Sequence, residues 1–151
     1  MTAIADHPDT TLLGLPAPPC SSLLGWHLVD HDAGRGWVRI GFEGKRDFLN
    51  PAGFIQGGIQ TAMLDDAMGP AVWIHSKGTL YTASIDITVS FLAPARPGPL
   101  FAEGQVVRMG KTIAFMEARL FDPDGELLAR ATASARVIPA DRLPRPVSSA
   151  R

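Results

Sequence analysis

One helix-forming segment interrupts a chain that otherwise reads as strands, and this limits the possible architectures more than any other feature. From Gly57 to His75 the composition turns to Ala, Met, Leu and Gln, with Ile59, Ala62, Met63 and Ala67 at helical spacing. Pro70 lies inside that segment, where its missing N–H is expected to bend or loosen the second half. Ahead of it, Trp26–Val29 and Gly36–Phe42 alternate apolar with polar or small residues around Asp30-His-Asp-Ala-Gly, which predicts a hairpin. After Gly78, Ile85, Ile87, Val89 and Phe91 alternate with Ser84, Asp86, Thr88 and Ser90, the pattern of a half-buried strand over 80–92. Three more strands are expected near 100–108, 112–121 and 127–137, separated by Pro- and Gly-rich turns so short that sequential strands must mostly be antiparallel neighbours.

Two strands, one helix and four strands define an α+β domain in which a single helix covers one face of an antiparallel sheet of five to six strands. A single helix leaves part of such a sheet and an edge uncovered, so a second copy that continues the sheet is expected, giving a homodimer. The 151 residues, 46% hydrophobic and 19% charged, suffice for one core without metals or disulfides. Residues 1–22 and 139–151, rich in Pro or in Pro, Arg and Ser, read as a poorly structured N-terminal extension and a flexible C-terminal tail around a domain at 23–138.

A net charge of −1, from 14 basic and 15 acidic side chains without long runs of one sign, provides no footprint for nucleic acid. Cys20 has no disulfide partner, and His7, His27, His31 and His75 are too scattered for a metal site. No apolar run approaches the roughly 20 residues of a membrane span, and the N-terminus lacks a basic region followed by an apolar one, so a cytoplasmic protein with no membrane partner is expected. The Gly-x-Ser-x-Gly nucleophile elbow and a dinucleotide-type glycine loop are both absent from the sequence.

The helix entry is distinctive: Asn50-x-x-Gly53-x-x-Gln56-Gly57-Gly58 runs into a helix carrying Asp65 and Ala67, with Ser84-x-Asp-x-Thr and Pro94 downstream. With Gly110-Lys111, Glu117 and Asp124-Gly125-Glu-Leu-Leu-Ala-Arg-Ala-Thr, these residues resemble the hot-dog fold acyl-CoA thioesterases, specifically the PaaI-like (phenylacetate-degradation-type) branch, over about 26–136. The resemblance implies an antiparallel sheet wrapped around one central helix, in a dimer often paired again into a tetramer. It also implies hydrolysis of an acyl-CoA to free acid and CoA, with no cofactor beyond the coenzyme A of the substrate. Asp65 would be the catalytic carboxylate, activating water or attacking the thioester, and Asn50 would position water or substrate. The backbone N–H of Gly57 or Gly58 would polarise the carbonyl, Ser84 would assist from across the site, and Lys111 would meet CoA phosphate. The chain departs from the branch at Gln56, where many members carry His, so roles needing an imidazole fall away there. That departure motivates a second reading, a non-catalytic acyl-CoA binding or sensing dimer; a hot-dog hydratase or dehydratase ranks behind it, because no histidine occupies the helix entry.

The chemistry also follows from general physics. Thioester hydrolysis builds negative charge on the carbonyl oxygen, which free N–H groups and the dipole at a helix N-terminus stabilise, and glycine allows close approach. Eight residues of helix separate Gly57 from Asp65 by about 12 Å, too far for both to reach one carbonyl, so the two are expected to act in trans across a dimer. Each residue also has a plain structural role open to it. Asn50 suits a turn before Pro51, Gly57-Gly58 suits a loop end beside a closely packed strand, Ser84 suits a solvent-facing strand position, and Asp66 suits a supporting hydrogen bond. Phe54, Ile55, Met63, Met68 and Trp73 are the expected acyl-pocket residues, each equally suited to the core.

Overall fold

A computed structural model describes residue 9 and residues 11–144. Strands Thr11–Leu12 (β1) and Leu15–Pro16 (β2) form a small ribbon, followed by a short helix, Pro19–Leu23 (α1). The main body comprises His27–Asp32 (β3), Trp37–Gly44 (β4), the long helix Gly57–His75 (α2), Leu80–Phe91 (β5), Gly98–Met109 (β6), Ile113–Phe121 (β7) and Leu127–Pro139 (β8). The six main strands form one antiparallel sheet in the order β3-β4-β6-β7-β8-β5. Turn-connected strands pair as expected, whereas β5 crosses to the far edge and pairs with β8.

Part of the N-terminal extension departs from the sequence reading. Residues 11–23 are built into the fold because the Leu28 N–H donates to Asp9 O at 2.7 Å and Ser21 of α1 is buried. At the other end β8 and a turn at Ala140–Arg142 run slightly past the boundary at 138. Residues 1–8, 10 and 145–151, the remainder of both extensions, lie outside the described residues.

The helix lies in a trough of small side chains. Ala102 and Gly104 on β6, Ala114 and Ala118 on β7, and Ala131, Ala133 and Ala135 on β8 alternate onto the inner face, and every one of these alanines is buried. A Cβ built on Gly104 would stand 2.1 Å from Ala67 O, so the backbone of α2 occupies the space a side chain would need. The buried stripe of α2 is Gln60, Met63, Leu64, Ala67, Met68, Ala71, Val72 and Ile74. Met63 and Ala67 lie in it as expected, but Ile59 is half-buried and Ala62 is exposed, because the helix turns its long side chains down beside the alanines.

Pro70 leaves α2 unbroken. Lacking an N–H, it cannot bond the carbonyl four residues earlier, that of Asp66. The indole N–H of buried Trp26 donates to Asp66 O instead, at 3.2 Å, and the helix runs on to His75.

Strand β5 contains a second departure, a β-bulge between Ser84 and Asp86. Ser84 pairs with Ala135, whose side chain is buried against the helix, whereas Asp86 pairs with Ser134 and accepts from its hydroxyl at 2.8 Å. Ile85 is the extra residue and is 58% exposed, although simple alternation groups it with Ile87. The bulge therefore exchanges the faces of the strand and brings Ser84 towards α2. Gly104→Ala is expected to cost about 3 kcal/mol of unfolding free energy through this overpacking, measured by urea denaturation; a loss below about 0.5 kcal/mol would show that α2 does not rest on Gly104.

Candidate active site

The N-terminal end of α2 is held by a tightly bonded loop. Asn50 Oδ1 accepts the N–H groups of Ala52 and Phe54 at 3.0 and 3.1 Å, so Asn50 does serve the turn around Pro51. The Ile55 N–H donates to Ala95 O at 2.8 Å, and buried Gln60 donates from Nε2 to Ile55 O at 2.9 Å. Gln56 is the helix N-cap, its Oε1 accepting from Ile59 N–H at 3.1 Å. With that donor satisfied, the N–H groups of Gly57 and Gly58 bond to no other described residue and lie at the positive end of the helix dipole. A cavity of about 380 Å³ opens here, lined by Asn50, Phe54, Gly57, Gln60, Phe91 and Leu92 among others. A Cβ on Gly57 would stand 3.0 Å from the Phe91 ring, so the glycine keeps the helix end open beside an aromatic wall.

Two turns further along, α2 exposes Asp65. The hydroxyl of Ser84, brought to this face by the bulge, donates to Asp65 Oδ1 at 3.0 Å. The carboxylate is thereby oriented while its second oxygen remains available. It opens onto a cavity of about 310 Å³ that also takes in Asp66, Gly69, Pro70, Trp73, Tyr81 and Thr82. Asp66 faces a different environment, largely out of water, and burial pushes its carboxyl up to about 6 against the pull of the Ser21 hydroxyl, with Asp65 nearby raising it further. Its Oδ2 is buried without a hydrogen-bond partner among the described residues. Adjacent aspartates thus differ in kind: one is open and oriented, the other desolvated.

The two cavities have no lining residue in common. The structure brings Asn50 and Gly57 to one, with Gln56 and Gly58 beside them, and Asp65 and Ser84 to the other. Lys111 stands apart, exposed in the β6–β7 turn. Of the expected pocket residues, Met63 and Met68 are core, Ile55 is buried at 1% exposure but borders the cavity at the helix end, and Phe54 and Trp73 line cavities. The sequence reading missed Phe91, Tyr81, Thr82 and Gln60 as lining residues; the exposed aromatics on an edge strand are the signal that points to the first two. His27 and His75 bond backbone carbonyls of Gly25 and Ala33. Among the described residues, no group of three or more His, Cys, Asp or Glu side chains is arranged to hold a metal ion, and no helix is long and apolar enough to cross a membrane.

Comparison with known proteins identifies the family. Residues 52–129 match the family model of the Thioesterase superfamily. A presumed esterase of Saccharolobus solfataricus is 30% identical over 107 residues, 71% of this chain and 74% of that protein. The crystal structure of a presumed thioesterase of Ralstonia eutropha JMP134, described as phenylacetic acid degradation-related, superposes with a TM-score of 0.77 at 31% identity, covering 83% of this chain and 95% of that one. A Streptococcus mutans protein bound to acetyl-CoA shares the fold, with a TM-score of 0.67 at 22% identity over 76% of this chain and 89% of its own. The chain belongs to the Thioesterase superfamily and has its hot-dog fold, with phenylacetate-degradation-type proteins of the PaaI-like branch among its structural neighbours. Thioester hydrolysis is the general activity that this membership supports.

The Asp66 environment has a measurable consequence. Its folded-state pKa lies above the ordinary 3.8, so the folded chain binds that proton more tightly than the unfolded chain, and stability from this group falls as pH rises from 3.8 through about 6. Asp66→Asn is expected to raise unfolding free energy by on the order of 2 kcal/mol at about pH 7.5, with no gain near pH 4. Urea unfolding at both pH values checks this, and equal effects at the two would contradict it.

Proposed function

We propose that the protein is an acyl-CoA thioesterase that hydrolyses RCO–SCoA and water to RCOOH and CoASH in sites shared between two copies of the chain. The observation that carries this reading is the pairing of an oriented, open carboxylate, Asp65 held by Ser84, with unbonded N–H groups at Gly57 and Gly58 on the same helix. In each site the thioester oxygen sits at the Gly57 or Gly58 N–H groups of one copy. Those donors stabilise the oxyanion that forms as the carbonyl carbon becomes tetrahedral. Asp65 of the other copy takes a proton from the attacking water, or attacks the carbonyl itself to give an anhydride that water opens. Asn50, with Oδ1 committed to the loop, has its amide N–H₂ to offer to water or substrate. Coenzyme A enters only as part of the substrate, and Lys111 meets its phosphates; the fold relative that holds acetyl-CoA supports this choice of carrier.

Two features support a homodimer. Edge strand β5 pairs with β8 on one side only and carries Ile85 and Phe91 at 58% and 52% exposure, the kind of edge that a second copy covers. Gly58, Ala62, Asp65 and Gly69 follow one another along the outward side of α2, small enough for a second helix to approach Asp65. Gln56 fits the reading without an imidazole, since its work in this chain is to cap the helix whose next two donors bind the oxyanion.

A free-thiol assay over a panel of acyl-CoA thioesters tests the proposal. Asp65→Asn is expected to lower kcat by about 10³-fold with an unchanged melting curve, and Ser84→Ala by about tenfold. Gln56→Ala is expected to cost about 1 kcal/mol of stability and only a few-fold in rate. Full activity in Asp65→Asn would remove the carboxylate mechanism, and tight binding of acyl-CoA without turnover in the wild type would favour a sensing dimer.

A further inference from the structure

We infer that the N-terminal ribbon β1–β2 is the acyl-binding wall of the Asp65 half-site and restricts the enzyme to uncharged, apolar acyl groups. The inference rests on reading Asp65 as the hydrolytic carboxylate. The ribbon precedes the segment that matches the family model, so this wall is supplied from outside the matched residues. It is anchored by the Asp9–Leu28 backbone bond and by buried Ser21 in the helix that follows it. From this position Leu12 and Leu15 line the same 310 Å³ cavity as Asp65, Trp73 and Tyr81. Leu15 and Tyr81 are 45% and 41% exposed in the single chain and present apolar surface to this cavity.

A second cavity of about 120 Å³ lies against the ribbon and shares Leu12, Leu15, Pro18, Asp66 and Pro70 with the first. An acyl chain whose carbonyl is at Asp65 therefore has a path along Pro70 and beneath the ribbon. At roughly 30 Å³ per small group, the first cavity has room for about ten of them, enough for a medium-length chain or a single ring. Among the described residues no Lys, Arg or His lines either cavity, and the charged groups there are Asp65 and Asp66. An acyl group ending in a second carboxylate would place an anion beside two carboxyls, with no cation among the described lining residues to offset it.

The test uses the full-length protein with acetyl-, octanoyl-, phenylacetyl- and succinyl-CoA. Wild type is expected to favour octanoyl- or phenylacetyl-CoA over succinyl-CoA by at least about 100-fold in kcat/KM. Leu15→Trp, which fills the cavity, is expected to lower the octanoyl-to-acetyl ratio of kcat/KM by at least about tenfold, and Leu15→Ala to flatten chain-length preference, each with a native circular dichroism spectrum. Hydrolysis with the same acyl preferences in all three proteins would overturn the ribbon's role and leave the thioesterase reading standing. If no thioester is cleaved, the hydrolytic reading fails, and octanoyl-CoA calorimetry then decides: binding weakened tenfold by Leu15→Trp supports the wall, whereas unchanged or absent binding overturns it.

Discussion

The close approach of α2 to Gly104 is the constraint on which the rest of the molecule depends. One helix must fill the concave side of a six-stranded sheet, and it does so with its backbone nearly touching β6, between rows of buried alanines. A helix seated this deeply has little freedom to rotate. Its buried stripe is set by the fit of Met63, Leu64, Met68 and Val72 around the alanines, and the placement of Asp65 outward and Asp66 sideways follows. The same seating brings Asp66 O within reach of the Trp26 indole, so a proline in the middle of the helix is accommodated without interrupting it.

Two consequences for chemistry come from this one placement. The helix N-terminus, capped by Gln56 and opened by two glycines, presents free donors to one cavity, while the middle of the helix presents an oriented carboxylate to another. About 12 Å of helix lies between them, a separation fixed by helical rise. On the proposed reading, a chain built this way holds both parts of a hydrolytic site and cannot use them on one substrate. The unpaired β5 edge and the small residues on the outward side of α2 supply the means by which a second copy would bring them together.

Much of the fold was legible because periodicity reports burial. Alternation along 127–137 and the run from Gly57 to His75 each follow directly from which residues face the core. The bulge at Ile85 was not legible, since an apolar residue in phase with its neighbours carries no mark of being extra; the pairing of Ser84 with Ala135 reveals it. Ile59 and Ala62 misled in the same manner, because helical spacing defines a face and not its direction. The ribbon at 11–16 was hidden by the prolines of the extension around it, of which Pro16 lies in the ribbon itself and suits a short edge pair as well as an irregular tail. The candidate site residues came mainly from resemblance, and the distance between the helix end and Asp65, which open onto separate cavities, from helix geometry alone. The surroundings of Asp66 include Ser21, whose hydroxyl pulls on its carboxyl, and Trp26, whose indole bonds its carbonyl, both forty or more residues distant in the chain, and no local pattern encodes them.

The central claim is that each site draws its donors and its carboxylate from different chains. Gly57→Val, which blocks the helix end, and Asp65→Asn, which removes the carboxylate, should each be inactive alone. Heterodimers of the two, isolated by two different affinity tags, contain one intact composite site and should recover about half of the wild-type rate per dimer. Isolated heterodimers as inactive as either parent would contradict a site shared between chains.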